Sequence, residues 1–188
     1  MYEHWDANSL FPIAPTYVES KTSFKWGKPR GNSFKINCDG AFCKTSGKAG
    51  IGVICGNSEG SFSKGWAEKV NASSTFDIEL LAVHKVVLLA EQWQCFPIII
   101  EMDCKDLFDA LIQKSSRFCP WLLHGLLAEI FDLVTDRSSF SFSLIPHEGN
   151  DSVDLLASIA SRELGLNGLI LESPPPLAII ILREATLA

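Results

Sequence analysis

Apolar positions along the chain change their spacing several times, and each change predicts an element. Residues 1 to 30 mix prolines, polar residues and isolated aromatics with no sustained period. From Phe34 onward, SFKINCDGAF, GKAGIGVICGN and GSFSKGWAEKV are three β-like stretches punctuated by Gly, Ser, Asn and Lys. They are too close together for a long crossover, which predicts an antiparallel meander. SSTFDIELLAVHKVVLLAEQW follows without Gly or Pro, a helix of about five turns that Ser74 or Thr75 would cap. FPIIIEMD is almost wholly apolar until its end, the pattern of a strand buried on both faces. Helical segments CKDLFDALIQK and PWLLHGLLAEIFDLVTD come next, with Pro120 placed for a first helical turn. FSFSLIP alternates as a fifth strand, and EGNDSVDLLASIASREL is a final amphipathic helix. The order βββαβααβα predicts an α/β fold with a mixed five-stranded sheet, three antiparallel strands and then an α-crossover into parallel ones, flanked by helices.

Composition narrows what such a fold does. With 188 residues and 47% hydrophobic positions, the chain fills one core. We expect a poorly ordered leader or linker at 1–30, a single domain at 31–165 and a tail at 166–188. In the tail, SPPP breaks any helix and LAIIIL makes either an added strand or a sticky disordered end. A formal net charge of −6 excludes coating nucleic acid through bulk positive charge, so any nucleic-acid role must come from a site. Six cysteines with no CxxC pair and no zinc-like spacing predict reduced thiols and an intracellular protein. MYEHWDANSLFPIAP lacks the basic start and apolar core of a signal peptide, and no apolar run reaches the ~18 residues of a membrane helix. No membrane role and no small-molecule cofactor are expected.

Four acids stand where the pattern does not need them. Asp39 closes the first strand, on the side of Lys35 and Asn37 and opposite the core-facing Phe34, Ile36 and Cys38. Glu79 shares a helical stripe with Ala82, Val83, Val86, Ala90 and Trp93, so the face that packs on the sheet carries a carboxylate. Asp103 directly follows the apolar run Ile98–Ile100, in phase with Ile99 and Glu101, at the carboxyl end of a parallel strand where α/β folds bind ligands. Asp154 lies at the start of the last helix among Val153, Leu155, Leu156 and Ala157. Each has an ordinary reading: an Asp-Gly turn, a dipole partner, an N-cap and a solvated helix charge. Gathered together they would repel one another unless a proton or a cation intervened, and a set of oxygen donors suits Mg²⁺ or Mn²⁺.

These residues carry a resemblance. WGKPRGNSFKINCDGAF, AGIGVICGNSEG, DIELLAVHKVVLLA, IIIEMDCKDL and HEGNDSVDLLASIA, in that order on the βββαβααβα pattern, resemble the type 1 ribonuclease H domain, in particular its plant, retroelement-derived branch. The resemblance runs from about Trp26 to Leu164. It implies a ribonuclease H-like fold with Asp39, Glu79, Asp103 and Asp154 as catalytic, metal-binding carboxylates. These would hold two Mg²⁺ (or Mn²⁺) ions, one helping to make hydroxide from water and one stabilising the 3′-oxygen leaving group. The implied reaction is hydrolysis of the RNA strand of an RNA–DNA hybrid, selected through its 2′-hydroxyls.

Two departures accompany it. His147 lies only seven residues before Asp154, in a shortened version of the loop where relatives carry a histidine, and reads first as an exposed loop residue. The segment SSRFCPW holds one arginine where some relatives carry a basic protrusion. Candidate phosphate contacts are Lys44 and Lys48 after Asp39, and Ser74 and Thr75 at the start of the Glu79 helix, against the plainer readings of a solvated loop and a cap. Trp66, Trp93 and Trp121 read as core. The expected partner is an RNA–DNA hybrid, the expected state a monomer, and a nuclear address follows from the resemblance only. The alternatives are a catalytically silent nucleic-acid-binding or interaction module on the same fold and a degenerate gene fragment.

Overall fold

The computed structural model describes residues 26–135, 139–162 and 168–170. Most of the expected leader, at 1–25, and the expected tail apart from 168–170 lie outside the described residues. Strands β1 (Phe34–Phe42), β2 (Lys48–Gly56) and β3 (Phe62–Asn71) form the antiparallel meander. Helix α1 (Thr75–Trp93) crosses to β4 (Ile98–Met102), which pairs in parallel with β1. Helix α2 (Lys105–Gln113), a 3₁₀ turn (Trp121–Leu123) and α3 (His124–Val134) then lead to β5 (Phe140–Leu144), parallel to β4. A second 3₁₀ turn (His147–Gly149) opens into α4 (Asp151–Ser161), and β6 (Gly168–Ile170) pairs antiparallel with β3. The sheet order is β5-β4-β1-β2-β3-β6.

The predicted order is observed through α4, with three corrections. There are six strands, because Gly168–Ile170 pairs with Gly65–Ala67; three residues are too short to show a period in the sequence. The first strand does not stop at Asp39. It continues to Phe42 with Asp39 opposite Gly52, and the reversal falls at Cys43–Gly47, where Gly47 has φ +68° and its N–H bonds the Cys43 carbonyl. Lys48 therefore opens β2 and is not a loop residue. Pro120 precedes a 3₁₀ turn, α3 begins only at His124, and Trp121 is 76% exposed, so it is not core.

Alternation along the strands puts helices on both faces. Gly40 faces Ile78 of α1, while Gly52 and Gly50 face the backbone of α4. The larger core packs α1 (Ile78, Leu80, Val83, Val86, Val87) against Ile36, Ile98 and Ile100. A smaller cluster joins α4 to β2, β3 and β6 through Ile54, Ala67, Val153, Leu156, Ala160 and Ile170. Among the described residues no helix is long and apolar enough to cross a membrane. All six cysteines are free thiols.

Ser74 caps α1. Its hydroxyl accepts the Asp77 N–H at 3.1 Å, and the Asp77 carboxylate accepts the N–H and O–H of Ser73 at 2.7 and 2.8 Å. Such a reciprocal arrangement satisfies helix N–H groups that have no partner within the helix. Ser74→Ala is expected to cost about 1 kcal/mol of unfolding free energy in a urea titration. A variant with an unchanged midpoint would show that the cap contributes nothing.

Candidate metal centre

Three elements deliver three carboxylates to one point. Asp39 stands in mid-strand on β1 and is 4% exposed. Glu79 is the fifth residue of α1 and is 7% exposed, because Ile78 beside it seats directly over Gly40. Asp103 follows the last residue of β4, where the strand ends before α2. Asp39, Glu79 and Asp103 each offer an oxygen, and these oxygens all lie within 4.8 Å of one another. Asp154, in the first turn of α4, stands outside that trio, yet its charge acts on Asp39.

The electrostatics follow from this crowding. Burial first, then the charges of Asp103 and Asp154, push the Asp39 carboxyl from its ordinary 3.8 up to about 7, against smaller opposing effects of a hydrogen bond with Glu79 and of the Gly40 N–H. Burial, together with the charge of Asp39 and the hydrogen bond to it, holds Glu79 well above the usual carboxylate range. Without a cation, this crowding disfavours full ionisation of the pair. Hard divalent cations take several oxygen donors at once, and a buried, mutually repelling set of carboxylates fits that demand.

His147 has a definite partner. From the turn before α4, its Nδ1 lies 2.7 Å from Oδ2 of Asp103, although the His147 side chain is 68% exposed. That hydrogen bond is the main reason its imidazole is held above the ordinary value of 6.5. The remaining candidates do not join the acids. Lys44 is exposed in the turn after β1, Thr75 is exposed at the start of α1, and the Ser74 hydroxyl is engaged in capping. Trp66 and Trp93 pack partly buried against the larger core. Lys35, Asn37, Glu101 and Asn150 form a buried polar layer beside the trio, a role that the sequence reading gives none of them. The available signal is their phase, two residues before Asp39 for Asn37, two before Asp103 for Glu101 and four before Asp154 for Asn150.

Comparison with known proteins agrees with this fold. A model of the family described as reverse transcriptase-like matches residues 37–160, which span all four acids. No curated protein shows significant similarity to the chain. Among solved structures, a ribonuclease H1 isolated from compost by a metagenomic approach superposes with a TM-score of 0.62 at 20% identity, over 69% of this chain and 96% of that one. Ribonuclease H1 from the halophilic archaeon Halobacterium salinarum NRC-1 gives 0.61 at 19% identity, over 68% and 96%. The compost enzyme in complex with RNA/DNA hybrid gives 0.59 at 20% identity, over 67% and 94%. The fold is thus ribonuclease H-like, with a sixth strand at the β3 edge.

Proposed function

The chain belongs to the reverse transcriptase-like family, and on that premise we propose that it is a metal-dependent endoribonuclease hydrolysing the RNA strand of RNA–DNA hybrids. The observation that carries the proposal is the meeting of Asp39, Glu79 and Asp103 oxygens within 4.8 Å on a ribonuclease H-like fold. A neighbour in fold, the compost ribonuclease H1, has been solved in complex with RNA/DNA hybrid, which supports the choice of ligand.

In this reading Asp39, Glu79 and Asp103 would hold two Mg²⁺ or Mn²⁺ ions, with Asp154 adding negative charge from α4. Bound there, the ions would supply positive charge to the scissile phosphodiester and acidify water. Because burial and mutual repulsion raise both Asp39 and Glu79, a bound cation would favour their ionised forms. His147, with Nδ1 engaged on Asp103, retains Nε2 as the nitrogen that takes or returns a proton at the exposed mouth of the site. Lys44, exposed in the turn after β1, and Thr75, exposed at the start of α1, are the candidates left free to contact the hybrid backbone, and 2′-hydroxyls of the RNA strand would provide the discrimination from DNA.

The test is cleavage of an end-labelled hybrid by the purified chain. Cutting of the RNA strand with Mg²⁺ or Mn²⁺, its loss in EDTA and an intact DNA strand are expected. Folded protein that binds hybrid but leaves both strands whole would replace this reading with that of a silent binding module.

A further inference from the structure

A layer of buried polar side chains lies against three of the four acid-bearing elements. Asn37 on β1 and Glu101 on β4 are register partners; Asp39 lies two residues further along β1, and Asp103 two residues after Glu101, just past the end of β4. The Asn37 amide donates to Glu101 Oε2 at 3.2 Å and to Asn150 Oδ1 at 3.3 Å. Asn150 in turn donates to the carbonyl of Cys38, the residue before Asp39, at 3.1 Å. It sits just ahead of α4, and its own carbonyl accepts the N–H of Asp154, one helical turn on, at 3.0 Å. Trp26 Nε1 donates to Asn37 Oδ1 at 3.1 Å and fixes the orientation of that amide. Lys35 pairs with Glu101 at 2.8 Å, so the layer adds no unpartnered charge beneath the carboxylates.

Asn37, Glu101 and Asn150 are 7, 5 and 1% exposed, so each broken bond leaves a buried polar group unsatisfied. Slippage of β1 against β4, or withdrawal of α4 from β1, breaks several of these bonds at once. Side chains two apart on a strand and about one turn apart on a helix share a face. Fixing the lower residue in each element therefore fixes the acid above it.

We propose that Asn37, Glu101 and Asn150 are positioning residues that register β1, β4 and α4 so that Asp39, Asp103 and Asp154 present one cation-binding surface. The inference rests on the proposed function and adds to it the part of the chain that sets the geometry of the acids. Residues that hold ligands in place typically change metal affinity by about 10–100-fold when removed.

The experiment titrates Mn²⁺ into the full chain by calorimetry, comparing wild type with Asn150→Ala and with Asn37→Leu, which keeps the number and branching of side-chain heavy atoms but cannot hydrogen-bond. Thermal unfolding in EDTA reports folding, and hybrid kinetics separate kcat from KM. We expect both variants to unfold cooperatively, to bind Mn²⁺ roughly 10–100-fold more weakly, and to lose kcat with KM for the hybrid unchanged. If Asn150→Ala does not fold, Asn37→Leu decides; if neither folds, the layer is structural and the proposal is overturned. Folded variants with wild-type Mn²⁺ affinity overturn it alone. Wild type that takes up no Mn²⁺ overturns the proposed function, and this inference with it.

Discussion

Asp39→Asn is expected to stabilise the metal-free protein at neutral pH while lowering Mg²⁺-dependent hybrid cleavage by about 1,000-fold or more, roughly 4 kcal/mol of transition-state stabilisation. Both effects come from one carboxyl group. Its pKa is raised from 3.8 to about 7 by burial and by the charges of Asp103 and Asp154. A group raised on folding contributes stability that is fully present below its unfolded value and is lost as pH rises through the folded one. Metal-free wild type is therefore expected to lose stability between about pH 4 and pH 7, by an amount on the order of a few kcal/mol, with Glu79 acting in the same direction. Asparagine keeps the shape and cannot ionise, so the variant's stability profile should be flatter across that window. Mg²⁺ should stabilise wild type at neutral pH far more than the variant. Thermal unfolding against pH, in EDTA and in Mg²⁺, measures all of this. A variant that keeps the wild-type pH slope, or that cuts hybrid at the wild-type rate, would remove Asp39 from the centre of the site.

The element order was legible because each segment keeps one period long enough to be seen. Glu79 was legible for a related reason: a carboxylate on a stripe of Ala82, Val83, Val86 and Ala90 has no place in a core unless something is built around it. Asp39 was misleading in one respect. Asp-Gly signals a turn from local preference alone, whereas its actual setting depends on Gly52 thirteen residues on and Ile78 thirty-eight residues beyond Gly40. Trp121 misled in the same way, since apolarity in PWLL predicts burial but the late start of α3 leaves Trp121 and Leu122 facing outward at 76 and 72% exposure.

What remained hidden is long-range pairing of polar groups. His147 meets Asp103 across 44 positions, and Asn150 meets the Cys38 carbonyl across 112. Neither contact leaves a periodic trace, because a single hydrogen bond constrains one side chain and not a face. Phase is the partial exception, as Asn37 and Glu101 show. A polar residue two before an acid on a buried strand is unexpected in the same sense as the acid itself, and the two anomalies together point to a layered site.

Glycine is the other residue whose role in the sequence was only suggestive, and here the second large effect is expected. A Cβ on Gly52 would lie 2.6 Å from the Val153 carbonyl oxygen and 2.7 Å from the Ala157 nitrogen; one on Gly50 would meet Ala157 O at 2.5 Å and also press on Ser161 N. The obstructing atoms belong to α4 backbone, so no rotamer change relieves them and the helix itself must move. Gly52→Ala is expected to cost on the order of 3 kcal/mol or more in urea unfolding, the upper end of overpacking, and Gly50→Ala at least as much. Because Gly52 is the register partner of Asp39 and Val153 precedes Asp154, displacement at this point also separates two of the acids. Whatever protein remains folded should therefore bind Mn²⁺ more weakly. Gly125→Ala provides the control, since that exposed position in α3 has nothing within 4 Å and alanine is the better helix former by up to about 1 kcal/mol. If Gly52→Ala matched Gly125→Ala in stability, the close seating of α4 on β2 would be wrong, and with it the route by which Asp154 reaches the other carboxylates.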